Sequence, residues 1–279
     1  MNKVQQKYQP IGIFDSGYGG LTILKSIMQR LPQYDYIYLG DNARTPYGSR
    51  SFDVVYDYTR QAVVTLFSMD CQLVILACNT ASAKALRTIQ QNDLLTGFPE
   101  RRVLGVIRPS VEQIPLFTKT GHIGVLGTSG TVLSDSYPME IAKVSGNHLV
   151  VTQEACPMWV PLVENDETDN KAADYFVHKN ITNLFRRDPE IDTLILGCTH
   201  YPLLRKTIDK FLPAHVTVLE QGPIVAESLS DYLNRHPEMD QKCSKNGSVR
   251  YITTESVDNF EPRASLFMGN PLVAEKIQF

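Results

Sequence analysis

Leu73-Val74-Ile75-Leu76-Ala77-Cys78-Asn79-Thr80 is the stretch that decides how this chain is read. An apolar run of strand length leads into a small residue, a thiol and two short polar side chains. The same frame returns at Leu194-Ile195-Leu196-Gly197-Cys198-Thr199-His200. A buried strand that delivers a thiol among hydrogen-bonding groups makes that thiol a candidate nucleophile or base. Two such thiols suit a reaction that needs one acid and one base on opposite sides of a single atom.

A second pair of segments echoes the first. Ile11-Gly12-Ile13-Phe14-Asp15-Ser16-Gly17 matches Ile123-Gly124-Val125-Leu126-Gly127-Thr128-Ser129-Gly130, a short strand running into Gly and hydroxyl residues. The offset is 112 residues from Ile11 to Ile123 and 120 from Cys78 to Cys198. Two features recurring in order at similar spacing describe two related α/β units. In open α/β sheets, functional groups gather beyond the carboxyl ends of the strands. Asp15, Ser16, Cys78, Asn79 and Thr80 then share one such edge, and Thr128, Ser129, Thr131, Cys198, Thr199 and His200 share the other. Units facing edge to edge would put one thiol on each wall of a cleft.

Strand-like runs near 11–14, 35–39, 73–77, 103–107, 123–126, 149–152, 193–196, 216–219 and 249–253 alternate with helical patterns. The helices read over 21–31, 51–68, 80–92, 134–145, 171–186, 202–211 and 223–235, with Ser51 as an N-cap. The fold class is therefore α/β, two pseudo-symmetric domains with mainly parallel sheets and the site between them. Charged and Pro-containing loops at Gly97–Arg102 and Leu212–Ala214 mark the crossings. They predict a first domain of 1–98 plus 213–279 and a second of 99–212. The polar segment 236–248 reads as an exposed loop.

The length of 279 residues and a hydrophobic fraction of 43% suffice for one large or two modest cores. A net charge of −3 gives no reason to bind nucleic acid or anionic lipid. The apolar runs are too short to span a membrane, and Met1–Pro10 lacks the apolar stretch of a signal peptide. The five cysteines, Cys71, Cys78, Cys156, Cys198 and Cys243, are odd in number and widely spread. That pattern argues for a reducing cytoplasm rather than a disulfide framework. Cys198 and His200 have no second tight Cys/His pair to complete a metal site, so no metal is expected.

Asp15-Ser16-Gly17-Tyr18-Gly19-Gly20 follows a strand and opens a helix. Its N–H groups suit a bound carboxylate or phosphate, and it reads equally as a plain strand–helix turn capped by Asp15. It is neither GxGxxG nor a P-loop. Asp41-Asn42-Ala43-Arg44-Thr45-Pro46-Tyr47-Gly48 reads as a loop at a site edge or on an ordinary surface. Arg44 beside Asp41 is better taken as a structural ion pair than as a carboxylate clamp. Cys71 and Cys156 read as packed, Cys243 as an exposed thiol, and His122 and His215 as surface residues.

Taken together, IGIFDSGYGGLTIL, YLGDNARTPYG, ILACNTASA, GVLGTSGTV, CPMWVPLVE and LILGCTHYPLL resemble the glutamate racemase family, within the aspartate/glutamate racemase superfamily. The resemblance runs from about Ile11 to about Gly222, and more loosely into the tail. It implies interconversion of L- and D-glutamate with no cofactor, neither pyridoxal phosphate nor metal. In bacteria the D-isomer feeds peptidoglycan synthesis. The resemblance makes Cys78 and Cys198 the acid/base thiols, Cys78 for the D-isomer's proton and Cys198 for the L-isomer's, assisted by Asp15 and His200. It places Asp15, Ser16, Tyr47, Gly48, Asn79, Thr80, Thr131, Glu164, Thr199 and His200 around the substrate. A homodimer is the oligomer it suggests. Asn42, Thr45, Arg108, Glu220 and Gln221 depart from the family pattern without touching the paired Cys frames. The alternatives are a racemase acting on aspartate or another amino acid, a one-thiol decarboxylase or maleate isomerase, a non-catalytic carboxylate-binding protein, and a redox sensor using Cys78 and Cys198.

Overall fold

The computed structural model describes residues 8–146 and 148–279. Residues 1–7, most of the polar N-terminal segment, lie outside the described residues. Among the described residues there are ten strands: β1 Ile11–Asp15, β2 Tyr36–Gly40, β3 Leu73–Leu76, β4 Arg102–Gly105, β5 His122–Gly127, β6 Val150–Ala155, β7 Thr193–Gly197, β8 Thr217–Leu219, β9 Val249–Thr253 and β10 Ala274–Lys276. They form two parallel sheets, ordered β10-β9-β2-β1-β3-β4 and β6-β5-β7-β8. Every residue of β1, β2, β3 and β7 is buried. That is the state expected of central parallel strands with helices on both faces, where each buried Val, Leu or Ile contributes about 1.5–3 kcal/mol.

The internal repeat is visible in strand order. β2-β1-β3-β4 of the first sheet corresponds to β6-β5-β7-β8 of the second. The Gly-rich strand pairs with the thiol-bearing strand in both, Gly12 opposite Val74 and Gly124 opposite Leu194.

Strand pairing corrects the expected crossings. β4, assigned by sequence to the second unit, lies beside β3 in the first sheet, and β8, assigned to the first, lies beside β7 in the second. Each chain crossing thus falls after the fourth strand of its repeat rather than before it. The charged loops that suggested boundaries are ordinary helix–strand connections within a unit. Helix Gln221–Arg235 then returns to the first unit and packs on helix Gly20–Arg30, with Arg30 Nε 2.6 Å from Glu227 Oε2.

The 236–248 segment is also corrected. It contains helix Pro237–Lys242, and Met239, Cys243 and Ser244 are buried. Its polar groups are consumed in fastening it to the start of β2. Ser248 N and Oγ and Asn246 Nδ2 donate to Asp35, and Asp35 N donates to the Ser244 carbonyl. Among the described residues, no helix is long and apolar enough to cross a membrane.

Candidate active site

Both thiols sit immediately beyond the carboxyl end of a buried central strand. Cys78 follows β3 by one residue and caps helix Asn79–Lys84, its sulfur accepting the Ala81 N–H at 3.4 Å. Cys198 follows β7 directly. They line one cavity of about 280 Å³ between the two sheets. Ser16, Tyr47, Gly48, Asn79, Thr80, Glu164, Thr199 and His200 line it as well. Asp15 and Thr131 do not line it; both stand fully buried directly behind it.

On the Cys78 side, Ser16 Oγ and Cys78 Sγ share a hydrogen bond at 3.3 Å. Asp15 accepts the Gly17 N–H at 2.9 Å through Oδ2, the capped turn expected from its sequence, while its Oδ1 is buried with no partner. Burial raises the Asp15 carboxyl above the ordinary carboxylate range, against the pull of His200. Burial, and after it the Asp15 carboxylate, pushes the Cys78 thiol up to about 12. With the cavity free of added charge, Cys78 is therefore held as a thiol.

The Cys198 side carries a proton chain. His200 Nδ1 lies 3.8 Å from Cys198 Sγ, and His200 Nε2 lies 3.1 Å from Glu164 Oε1. Burial works against a charged imidazole, but the Cys198 sulfur and the Glu164 carboxylate outweigh it and raise His200 to about 10. The ring is held edge-on by Phe267, at 5.6 Å between centroids. Glu164 ends the short helix Trp159–Glu164. That helix is anchored by the buried Trp159, whose indole N–H donates to Asn180 Oδ1 at 3.1 Å and whose ring meets Tyr201 edge-on. The residue after His200 thus helps fix the helix that brings Glu164 to it.

The two sheets meet over a hydroxyl cluster. Thr80 Oγ1 is 3.0 Å from Thr128 Oγ1 and 3.4 Å from Thr131 Oγ1, and Gly130 N donates to the Gly48 carbonyl at 2.7 Å. Tyr47 donates its hydroxyl to Asp41, and Arg44 Nε pairs with Asp41 Oδ2 at 2.7 Å, the structural role expected of that arginine. Thr128 and Ser129, which the sequence puts on the second strand edge, line the cavity too, and so do Thr45 and Cys156. Cys156, read from sequence as packed, was legible in principle, since it directly follows β6. Among the described residues, no group of three His, Cys, Asp or Glu side chains is arranged to hold a metal ion.

The family model for Asp/Glu/hydantoin racemases matches residues 20–229. The chain belongs to this racemase family. A glutamate racemase from Geobacter metallireducens is 38% identical over 265 residues, covering 95% of this chain and 94% of that protein. The crystal structure of a glutamate racemase isoform from Bacillus anthracis superposes with a TM-score of 0.88 at 35% identity, covering 98% of both chains. That of the Francisella tularensis glutamate racemase in complex with D-glutamate gives a TM-score of 0.85 at 29% identity, covering 97% of both. As a racemase, the protein is an isomerase, and the paired strand-end thiols fall within the matched span.

Proposed function

We propose that this protein interconverts L- and D-glutamate by a two-base reaction, supplying D-glutamate for peptidoglycan, with Cys78 and Cys198 as the acid/base pair. The observation that carries this reading is that equivalent strand ends of two different sheets each present a thiol to one cavity. Racemisation removes the Cα proton from one face and delivers another to the opposite face. One sulfur, as thiolate, takes the Cα proton; the electron pair stays on carbon, delocalised into the α-carboxylate. The other, as thiol, gives its proton to the far face, and the two sulfurs exchange roles in the reverse direction. No pyridoxal phosphate or metal takes part in this scheme.

A buried Cys78 thiol pushed up to about 12 needs a compensating charge before it ionises. The substrate ammonium supplies one on binding. Ser16, Asn79, Thr80 and Thr199 line the cavity with hydroxyl and amide donors, which in this scheme serve the α-carboxylate, where charge grows as the proton leaves. Asp15 behind Cys78, and His200 with Glu164 beside Cys198, act through the thiols rather than on carbon.

The test is circular dichroism of pure L-glutamate incubated with the protein alone. The signal is expected to decay to that of the racemate, and Cys78→Ser and Cys198→Ser each to slow the decay by about 10²–10⁴-fold, the usual contribution of a positioned acid or base. A flat signal with the native protein, or near-native turnover in both directions by either variant, overturns the reading.

A further inference from the structure

Gln221 opens helix Gln221–Arg235, just after β8, and its side chain is buried. Its amide ties together three side chains from three other segments. Gln221 Oε1 accepts from Asn79 Nδ2 at 2.7 Å. Gln221 Nε2 donates to Ser110 Oγ and to Tyr137 Oη, both at 2.9 Å. Tyr137 Oη donates in turn to Asn79 Oδ1 at 2.8 Å. The result is a closed ring of Asn79, Gln221 and Tyr137, buried on all three members.

The ring has a definite polarity. Tyr137 has one proton and gives it to Asn79 Oδ1, so the Asn79 oxygen is fixed on that side. The Asn79 nitrogen carries two protons. Gln221 takes one, and the other has no acceptor among the described residues. Asn79 is the neighbour of Cys78 and lines the cavity. A flipped Asn79 would set its oxygen against Gln221 Oε1, which costs two hydrogen bonds in a buried place.

We propose that Gln221 is a positioning residue for racemisation: it sets the Asn79 amide so that an N–H, and not a carbonyl, faces the substrate carboxylate. This rests on the glutamate-racemisation reading. Gln221 itself touches no reacting atom and acts only through Asn79. It also ties the start of helix Asn79–Lys84 to Ser110 and Tyr137, on helices Ile107–Gln113 and Ser136–Ser145.

The test is a double-mutant cycle read in KM and kcat for both enantiomers. Gln221→Leu is expected to raise KM about ten-fold, the scale of one hydrogen bond to a charged group. In an Asn79→Ala background the same change is expected to add less than about two-fold, because its route of action is gone. A purely structural role would lower the active fraction equally in both backgrounds and leave KM alone; that outcome, or full additivity, overturns the proposal. Should Gln221→Leu fail to fold, Tyr137→Phe removes a single hydroxyl from the same ring and is expected to show the same KM rise and the same non-additivity with Asn79→Ala. If the native protein leaves L-glutamate unchanged, the function reading fails; if it racemises glutamate and the cycle is additive, only the role of Gln221 fails.

Discussion

His200 sits between a sulfur and a carboxylate, and its charge is what the site stores. Its folded pKa is raised from the ordinary 6.5 to about 10, since the Cys198 and Glu164 contacts overcome its burial. A group whose pKa is higher in the folded state stabilises the fold fully below its unfolded pKa and loses that contribution as pH rises through the folded one. The stability gap between the native protein and His200→Asn is therefore expected to be largest below pH 6.5 and to shrink toward pH 10. Urea denaturation of both proteins across that range measures it, and a gap that widens with pH contradicts the charge assignment. The two thiols were readable because apolar runs ending in Cys, Asn, Thr or Cys, Thr, His advertise themselves without tertiary knowledge. The contact of Glu164 with His200 spans 36 residues and rests on where Trp159 docks, which no local pattern reveals. Cys156 reads as core from its apolar neighbours, and it is buried, yet the same position lines the cavity.

At the scale of elements, the start of helix Gly20–Arg30 lies tight against the Cys198 loop. A Cβ on Gly19 would lie 2.2 Å from Thr199 Oγ1 and 2.5 Å from His200 Nδ1. Gly19 has an ordinary helical φ of −59°, so it is this approach and not backbone strain that requires glycine. Gly19→Ala is expected to cost about 1–3 kcal/mol of stability as overpacking, and to lower kcat/KM by about 10²-fold, as displaced catalytic groups do. Thermal melts and steady-state rates check both figures; a fully active Gly19→Ala would show that the His200 loop tolerates displacement. All nine strands expected from the sequence are present, whereas β10 and several helices escaped notice. Helices Ile107–Gln113, Trp159–Glu164, Pro237–Lys242 and Val257–Met268 contain Pro109, Pro161, Pro237 and Pro262. Proline reads as a breaker, but in a first turn it lacks only an N–H that has no helical partner anyway. Pro262 is the exception, seated inside its helix. Helix 80–92 was expected as one piece and is instead Asn79–Lys84, Leu86–Thr88 and a wider turn at Ile89–Asp93.

For the whole molecule, the repeat matters more than any one contact. Two copies of one strand order, β2-β1-β3-β4 and β6-β5-β7-β8, bring two carboxyl edges together, and β9 and β10 extend only the first. The sequence repeat foretold the pairing of edges, but not which side of each crossing β4 and β8 would join, because strand pairing is non-local and both strands are short edge strands. The facing edges are held by the Thr80–Thr128 contact at 3.0 Å and the Gly130–Gly48 bond at 2.7 Å. This architecture has a consequence for the fate of the substrate proton. If two different sulfurs serve the two faces of Cα, the proton removed is not the one delivered. The decisive measurement is mass spectrometry of glutamate isolated at low conversion after L-glutamate reacts in D₂O. The account predicts deuterium at Cα of the D-glutamate formed and none in the L-glutamate recovered. Unlabelled D-glutamate, or label entering both enantiomers equally from the start, would mean that one base serves both faces, and would contradict it.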